Sequence, residues 1–528
     1  MAEPVEPTWF AVVPPLFAIA LALILRRVVI ALSAGVLVAA LVMAQFHPVA
    51  GFLRAAAYVW GAFEDGGHRW ILSFAVLLGG LMRLLRSSGG ARGLATRIAR
   101  VARTRRSGQM TAWVLGLVFF FDDYANTLMV GSTMGPVARR LRISREKLAF
   151  IVDATAAPVA SLAPISSWIA VEIGYIADQL QALALPGDAY AVFLATLPTR
   201  FYPIFMLGLG VMIALSGRDF GPMARAERAV LVDPPEAEEA VSGERSTGVG
   251  ERPATGSLWI SAFPLLLVLL TVVFGLYYTG RAGALSAGLP LTLENILTNA
   301  SSSKAMVFAS LAGGAAALVA TARTGRLGWA AAASEWGRGA LGMVPVMAVL
   351  LLAWALGAAC KDLQTARYLV GILGAGFDAG LLPAVVFLVS ALVSFATGTS
   401  WGTMGIIFPL ATPLAFELAP DDRALLLTTL SSVLAGSVFG DHCSPISDTT
   451  IMSALATGCE QVAHVRTQLP YAVLAATVAL ACGSVPVGLG LFSAWLAIPL
   501  GLTATYLALR VISARGSPSA APLAQVQK

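Results

Sequence analysis

Long apolar runs fill this chain, and two dense clusters of polar side chains interrupt them. A run of about 20 apolar residues matches the thickness of a bilayer, so the pattern predicts a bundle of spanning helices. The first cluster is Asp122, Asp123, Asn126 and Thr127. The second is Gly440-Asp441-His442-Cys443-Ser444-Pro445-Ile446-Ser447-Asp448-Thr449-Thr450, where nearly every side chain can coordinate a cation or carry a proton. An ionisable group at membrane depth costs at least about 2.5–3.5 kcal/mol and by default marks a site or pathway. Two such clusters, far apart in sequence, predict a secondary transporter.

Basic residues orient the spans. Met1 to Pro7 is acidic and lacks the basic region of a cleavable signal, so Trp9 to Leu25 reads as a retained first span. Arg26 and Arg27 follow it, and Arg83, Arg86, Arg92, Arg97, Arg100, Arg103, Arg105 and Arg106 follow a later span with no acid among them. The positive-inside tendency then places the N-terminus outside the cell membrane and these loops in the cytoplasm, together with the later linker and the C-terminus. The arginine-rich stretch from Gly89 to Arg106 is expected along the anionic inner leaflet. Arg139, Arg140, Arg142, Arg145 and Lys147 come directly after Met110 to Ala138, although the loop before that segment is already basic. A simple crossing would put these charges on the wrong side. The segment is therefore expected to enter and return, or to break, which membranes tolerate only where backbone is buried or lines a cavity.

Residues 217–256 turn polar, with Pro234, Pro235, Glu236, Glu238 and Glu239, and read as a solvated linker between membrane halves at 1–216 and 257–512. Residues 513–528 form a tail. Each half carries Thr-Met-Gly (Thr133 to Gly135, Thr403 to Gly405) and, later, Pro-Ile-Ser (Pro164 to Ser166, Pro445 to Ser447), the kind of internal repeat found in repeat-built transporters. The expected fold is an all-α polytopic membrane protein of about 11–14 transmembrane or re-entrant helices. Its two pseudo-symmetric halves carry broken helices at the midplane.

Composition narrows the class. Hydrophobic residues make up 57% of the 528 and charged residues 12%, against about 25% charged in globular proteins. The net charge of +6 reads as orientation rather than nucleic-acid binding. The four cysteines form no zinc or redox pair, and the absence of a phosphate-binding loop argues against a primary pump. No nucleophile has a persuasive partner, so neither enzyme nor cofactor is expected. A channel would share the ion chemistry, but broken spans and duplication favour alternating access.

Within the first cluster a helix would put Asp123, Asn126 and Thr127 on one face. Carboxylates with neutral oxygens suit a dehydrated sodium ion, and crowded carboxylates away from water can trade a proton for it. Asp441, Ser444, Asp448 and Thr449 form the corresponding set in the second cluster. Pro164 and Pro445 can open half-helices, with Ser444 as cap and Ser447 and Asp448 in the first turn, so that amide groups face an anion. The competing readings are an arginine ion pair for Asp122 or Asp123 and a simple proline kink. Asp153, in a stretch of small residues, should face protein or water, and Glu172 is either interfacial or functional. Thr397, Thr399, Ser400 and Thr403, among Gly398 and Gly402, offer ligands from an unwound segment or hydroxyls bonded to their own backbone. His442 suits a proton relay better than zinc, whereas His47, His68 and His464 read as loop residues.

Asp122-Asp123-Tyr124-Ala125-Asn126, Asp153 with Ala156-Ala157-Pro158-Val159-Ala160, Pro164-Ile165-Ser166 before Trp168, and the run from Gly440 to Thr450 resemble the hallmark segments of the NhaC-type sodium/proton antiporter family. The resemblance spans roughly residues 70 to 490. It implies inverted repeats, paired re-entrant hairpins and a homodimer with an elevator-like motion. It also implies sodium/proton antiport, with Asp122, Asp123, Asp441 and Asp448 as exchange carboxylates and Asn126, Thr127, Ser166, Ser444 and Thr449 as neutral ligands. Such families include relatives that couple sodium or proton gradients to small organic acids, so transport of an organic acid or amino acid is the alternative. The expected partners are Na+, protons and membrane lipids, joined in the alternative by a small organic anion.

Overall fold

A computed structural model describes residues 8–88, 98–232, 259–292, 295–296, 299–323, 327–373 and 376–515, and every regular element among them is a helix. Ten helical segments are long and apolar enough to cross a membrane, and three shorter apolar helices accompany them. The protein is an all-α, multi-span membrane protein. Residues 89–97 of the arginine-rich stretch, 233–256 of the expected linker and 516–528 of the tail lie outside the described residues.

The chain opens with α1 (Val13–Leu25), α2 (Val28–Met43), α3 (Pro48–Glu64) and α4 (Gly66–Ser87). Asp65 caps α4 by accepting from the amide of His68 at 3.0 Å, placing a carboxylate at the helix's positive end. Next come α5 (Arg105–Val118) and α6 (Asp123–Arg140). Arg140 donates to the Ala102 carbonyl at 3.0 Å, and Gly108 lies beneath Leu141 and Ile143. The end of α6 is thus beside the start of α5: this segment enters and returns, as its basic flanks require.

The path then runs through α7 (Arg145–Ala154), α8 (Ala157–Leu162) and α9 (Ile169–Ala182), with breaks at 155–156 and 163–168. It continues through α10 (Ala189–Thr196), α11 (Phe201–Ser216) and α12 (Gly221–Val232). α12 occupies part of the stretch read as linker. There Glu227 is buried, pairs with Arg105 and accepts from the amide of Ser144 at 2.7 Å, fastening α12 to the beginnings of α5 and α7.

After residue 258 come α13 (Trp259–Ser286), α14 (Ser302–Arg323), α15 (Trp329–Gly342), α16 (Val344–Asp362) and α17 (Thr365–Leu373). The next are α18 (Leu382–Thr397), α19 (Ser400–Leu418), α20 (Arg423–Cys443) and α21 (Asp448–Thr457). The chain closes with α22 (Gln461–Ala479), α23 (Val485–Gly488) and α24 (Ala494–Arg515). α18 runs parallel to α20, because Gly436 packs on the Phe387 carbonyl and Gly440 on that of Ala391. Since α20 begins just after α19 ends, α19 must return to the side from which α18 set out, making a second hairpin.

Each half therefore holds a hairpin followed by a broken helix, and local details recur. The second helix of each hairpin is capped alike: Asp122 accepts from Ala125 N at 2.7 Å, and Thr399 from Gly402 N at 3.4 Å. In the following break, Ser166 donates to the Ala160 carbonyl at 2.7 Å and Ser447 to the Asp441 carboxylate at 2.5 Å, both six residues back. The two Pro-Ile-Ser segments thus occupy equivalent places. The Thr-Met-Gly copies share a helix type, α6 and α19, but sit at different turns.

Gly440 tests the second hairpin. A methyl group there would press on the Ala391 carbonyl and Phe395 amide, backbone that cannot rotate away. Gly440→Ala is expected to cost about 1–3 kcal/mol, seen as earlier thermal unfolding of the detergent-solubilised protein; an unchanged transition would contradict the close α18–α20 packing.

Candidate functional site

The hairpin tips and helix breaks meet at one cavity of about 570 Å³. The first half contributes Asp122, Asp123, Ser167 and Trp168, and the second Thr399, Ser400, Asp441, Asp448 and Thr449. Aligning the Pro-Ile-Ser segments makes Ser167 the counterpart of Asp448 and Trp168 that of Thr449. The two polar clusters of the sequence are therefore neighbours in space.

Asp123 is only 2% exposed, with Oδ2 accepting from the Trp168 indole at 2.9 Å and Oδ1 from the amide of Tyr124 at 2.9 Å. Asp441 accepts from Ser400 at 2.9 Å and from Ser447 at 2.5 Å, and the Ser447 hydroxyl lies 3.0 Å from that of Thr449. Asp448 stands in the first turn of α21, open to the cavity, and takes the Tyr124 hydroxyl at 3.3 Å. The positive end of α21 favours its negative charge. Among the described residues none of these three aspartates forms an ion pair. Three carboxylates and several hydroxyls, most of them shielded from water, make a set of hard oxygen ligands suited to a small cation.

Asp122 differs. Its Oδ2 pairs with Arg86 at 3.0 Å while Oδ1 caps α6, so the arginine-pair reading holds for this residue. At the cavity mouth Arg83 and Arg338 both engage Glu335, at 2.8 and 2.6 Å.

Several expected ligands do not line this cavity and hold backbone instead. Asn126 is fully buried and its Nδ2 donates at 2.7 Å to the carbonyls of Gly116 and Thr155, bracing the hairpin against the break after α7, while its Oδ1 has no hydrogen-bond partner. Thr127 bonds back to the Asp123 carbonyl, and Thr397 and Thr403 likewise bond their own helices. Ser166 holds the Ala160 carbonyl and receives the Trp168 amide. Ser444 closes α20 rather than opening α21, and its hydroxyl accepts from Ile446 N at 3.3 Å. Pro164 and Pro445 sit inside the breaks, not at helix starts, since α9 begins at Ile169 and α21 at Asp448. A proline has no amide to satisfy and so suits a break, where its carbonyl still finds a donor: Tyr190 for Pro164 and Gln461 for Pro445.

A second polar cluster lies behind the first. Asp153, with no exposure, takes Gln468 at 2.7 Å and Thr450 at 3.3 Å, and lies 3.3 Å from His464 and 3.8 Å from His442. His442 also meets the Tyr202 hydroxyl at 2.7 Å, while Asp153 Oδ1 has no hydrogen-bond partner. His464 is thus no loop residue; its spacing of four from Gln468 on an apolar helix was the available sign. His68 is buried too, stacked on Trp354 and 3.3 Å from Asp178. Glu172 is deeply buried and pairs with the equally buried Arg200 at 2.8 Å, which also binds Thr196 and the Ser161 carbonyl. That makes it a structural brace between α9 and the end of α8.

The profile of the Na+/H+ antiporter family matches residues 159–485, more than half of the chain. The chain belongs to the Na+/H+ antiporter family. It is a secondary transporter and not an enzyme. Among its relatives, an uncharacterized protein of Haemophilus influenzae is 33% identical over 488 residues, 91% of each chain. An uncharacterized Na+/H+ antiporter of the same organism is 39% identical over 106 residues, 19% of this chain and 22% of that one. The malate-2H+/Na+-lactate antiporter of Bacillus subtilis is 25% identical over 166 residues, 24% of this chain and 34% of that one. Two solved transporters have a similar fold at low identity. They are YdaH of Alcanivorax borkumensis (TM-score 0.55, 14% identity, 85% of this chain and 90% of that one) and MtrF of Neisseria gonorrhoeae (TM-score 0.54, 12%, 87% and 84%).

The two roles of Asp122 give a direct prediction. Asp122→Ala should cost about 1–2 kcal/mol of stability through loss of the cap, and Asp448→Ala, which removes an exposed carboxylate, markedly less. Thermal unfolding of the purified variants checks this ordering, and the reverse ordering would overturn it.

Proposed function

We propose that the protein exchanges Na+ for H+ across the membrane. Sodium sits among Asp123, Asp441 and Asp448, with hydroxyl oxygens of Ser400 and Thr449 completing its shell. The observation carrying this reading is the meeting of Asp123 and Asp441, one from each half, in one cavity, with neither in an ion pair among the described residues. Two buried carboxylates need a compensating positive charge, and either a sodium ion or protons supply it. Mutual exclusion of the two occupants is antiport.

Proton handling extends to Asp153, His442 and His464. His442 follows Asp441 in sequence, so neighbouring residues on α20 serve the two clusters. A change in the position of Asp441 on sodium binding is felt at once by the hydrogen bonds of His442.

A second reading has support of its own. The cavity far exceeds the volume of an ion, and Arg83, Arg86 and Arg338 line it, so a small organic acid beside the cation would bind by sharing arginines that now pair with Glu335 and Asp122. The Bacillus subtilis relative is named for malate and lactate.

Proteoliposomes with an internal pH dye separate these. Sodium added outside sodium-free vesicles should enter in exchange for luminal protons and alkalinise the lumen without any organic substrate. Asp441→Asn should abolish the signal, because an amide neither carries the exchanged proton nor neutralises the bound cation. Normal exchange in Asp123→Asn, Asp441→Asn and Asp448→Asn alike would remove the sodium site proposed. Exchange that appears only with malate or lactate present would select the second reading. Asp153→Asn is expected to keep sodium binding, measured by calorimetry, while flattening the pH dependence of exchange; an unaltered pH profile would remove Asp153 from the proton route.

A further inference from the structure

Three helices, α4, α16 and α19, line the transport cavity with one part of their length and a second cavity, of about 740 Å³, with another, while α9 leads from Trp168 at the first to Asp178 at the second. On α4 the second cavity begins at His68, and the first ends at Arg86. At 1.5 Å per residue these positions are about 27 Å apart, close to the thickness of the hydrocarbon core. Between the cavities Tyr175 donates to the Trp401 carbonyl at 3.2 Å and stacks on Phe408 with ring centres 5.5 Å apart. The two spaces face opposite ends of the bundle across a thin aromatic barrier.

The second cavity contains an unusual pair. His68 Nδ1 lies 2.8 Å from the Ala62 carbonyl, which can only accept, so this nitrogen carries a hydrogen. Nε2 then faces Asp178 Oδ1 at 3.3 Å. A neutral imidazole would present a lone pair to a carboxylate there, two acceptors confronting each other. One proton between them removes the conflict. The ring is held for this by stacking on Trp354, 3.7 Å between centres at 8°. Gln179, 3% exposed, also lines the cavity with Oε1 unpartnered. The other titratable or charged groups around the pair are Asp65 before α4, Tyr58 on α3, Cys360 and Lys361 on α16, Arg367 on α17 and Glu417 on α19.

We infer that this second cavity is the aqueous approach to the transport site from the opposite membrane face, with His68 and Asp178 as a proton-docking pair within it. The inference rests on the proton-coupled reading above, but its test does not require exchange. An imidazolium stacked on an indole quenches its fluorescence, so tryptophan emission of the purified protein reports His68 protonation. The difference between wild type and His68→Gln should show one quenching step as pH falls from about 8 to about 5. Asp178→Asn should move that step to lower pH by about one unit or more, because the carboxylate that favours the imidazolium is gone. Sidedness is read in sealed vesicles with a membrane-impermeant thiol reagent, in a chain with Cys360, Cys459 and Cys482 changed to serine. Gln181→Cys, in the second cavity, should be labelled from the face opposite to the one that labels Arg338→Cys. Absence of a step, a step indifferent to Asp178→Asn, or labelling of both cysteines from one face would overturn the inference. A protein that passes these tests yet shows no sodium/proton exchange keeps the docking pair and loses only the sodium reading.

Discussion

A helix that stops inside a membrane leaves amide and carbonyl groups that lipid cannot satisfy, so the interruption must be buried in protein or wetted by a cavity. Two hairpin tips and two broken helices interrupt this bundle, and all four are turned toward one another. Much of the local bonding follows from that need. Asp122 and Thr399 satisfy the amides at the hairpin tips, Ser166 and Ser447 fasten the breaks six residues back, and Asn126 bonds the carbonyl orphaned at Thr155. Side chains that would be costly anywhere else in the membrane are affordable here because the backbone around them already demands polarity.

The same geometry separates structural charge from chemical charge. Asp122, Glu172 and Glu227 each have an arginine partner and hold elements together. Asp123, Asp441 and Asp448 are held by neutral donors alone, an indole, hydroxyls and an amide, which position a carboxylate without cancelling its charge. Behind them Asp153 is held by an amide and a hydroxyl with two histidines close by, groups that can pass a proton as well as hold it. Adjacent residues on α20, Asp441 and His442, join the carboxylate-lined cavity to the cluster around Asp153.

What the sequence disclosed follows the rarity of charge in apolar surroundings. The two polar clusters, the returning segment marked by its basic flanks, and Asp153 all stood out for that reason. The repeated Pro-Ile-Ser segments were legible as repeats, yet their place inside the breaks was not, because proline is equally at home in a break and at a helix start. Helical spacing put Asn126 and Thr127 on the face of Asp123 but could not say that they would bond backbone. Arg86 and Asp122 are distant in sequence, and their pairing is a tertiary fact. α12 and the helix carrying His464 looked like loops because their polar residues find partners on other elements, Glu227 on α5 and α7, His464 on α7.

The central claim is that one set of buried carboxylates holds either protons or sodium. Titrating NaCl into the purified protein in weakly buffered detergent solution, with a pH electrode recording, measures this without transport. The account predicts proton release that saturates with sodium, is absent with choline chloride, and disappears in Asp441→Asn. Saturable sodium binding with no accompanying proton release at any pH between about 6 and 9 would contradict it.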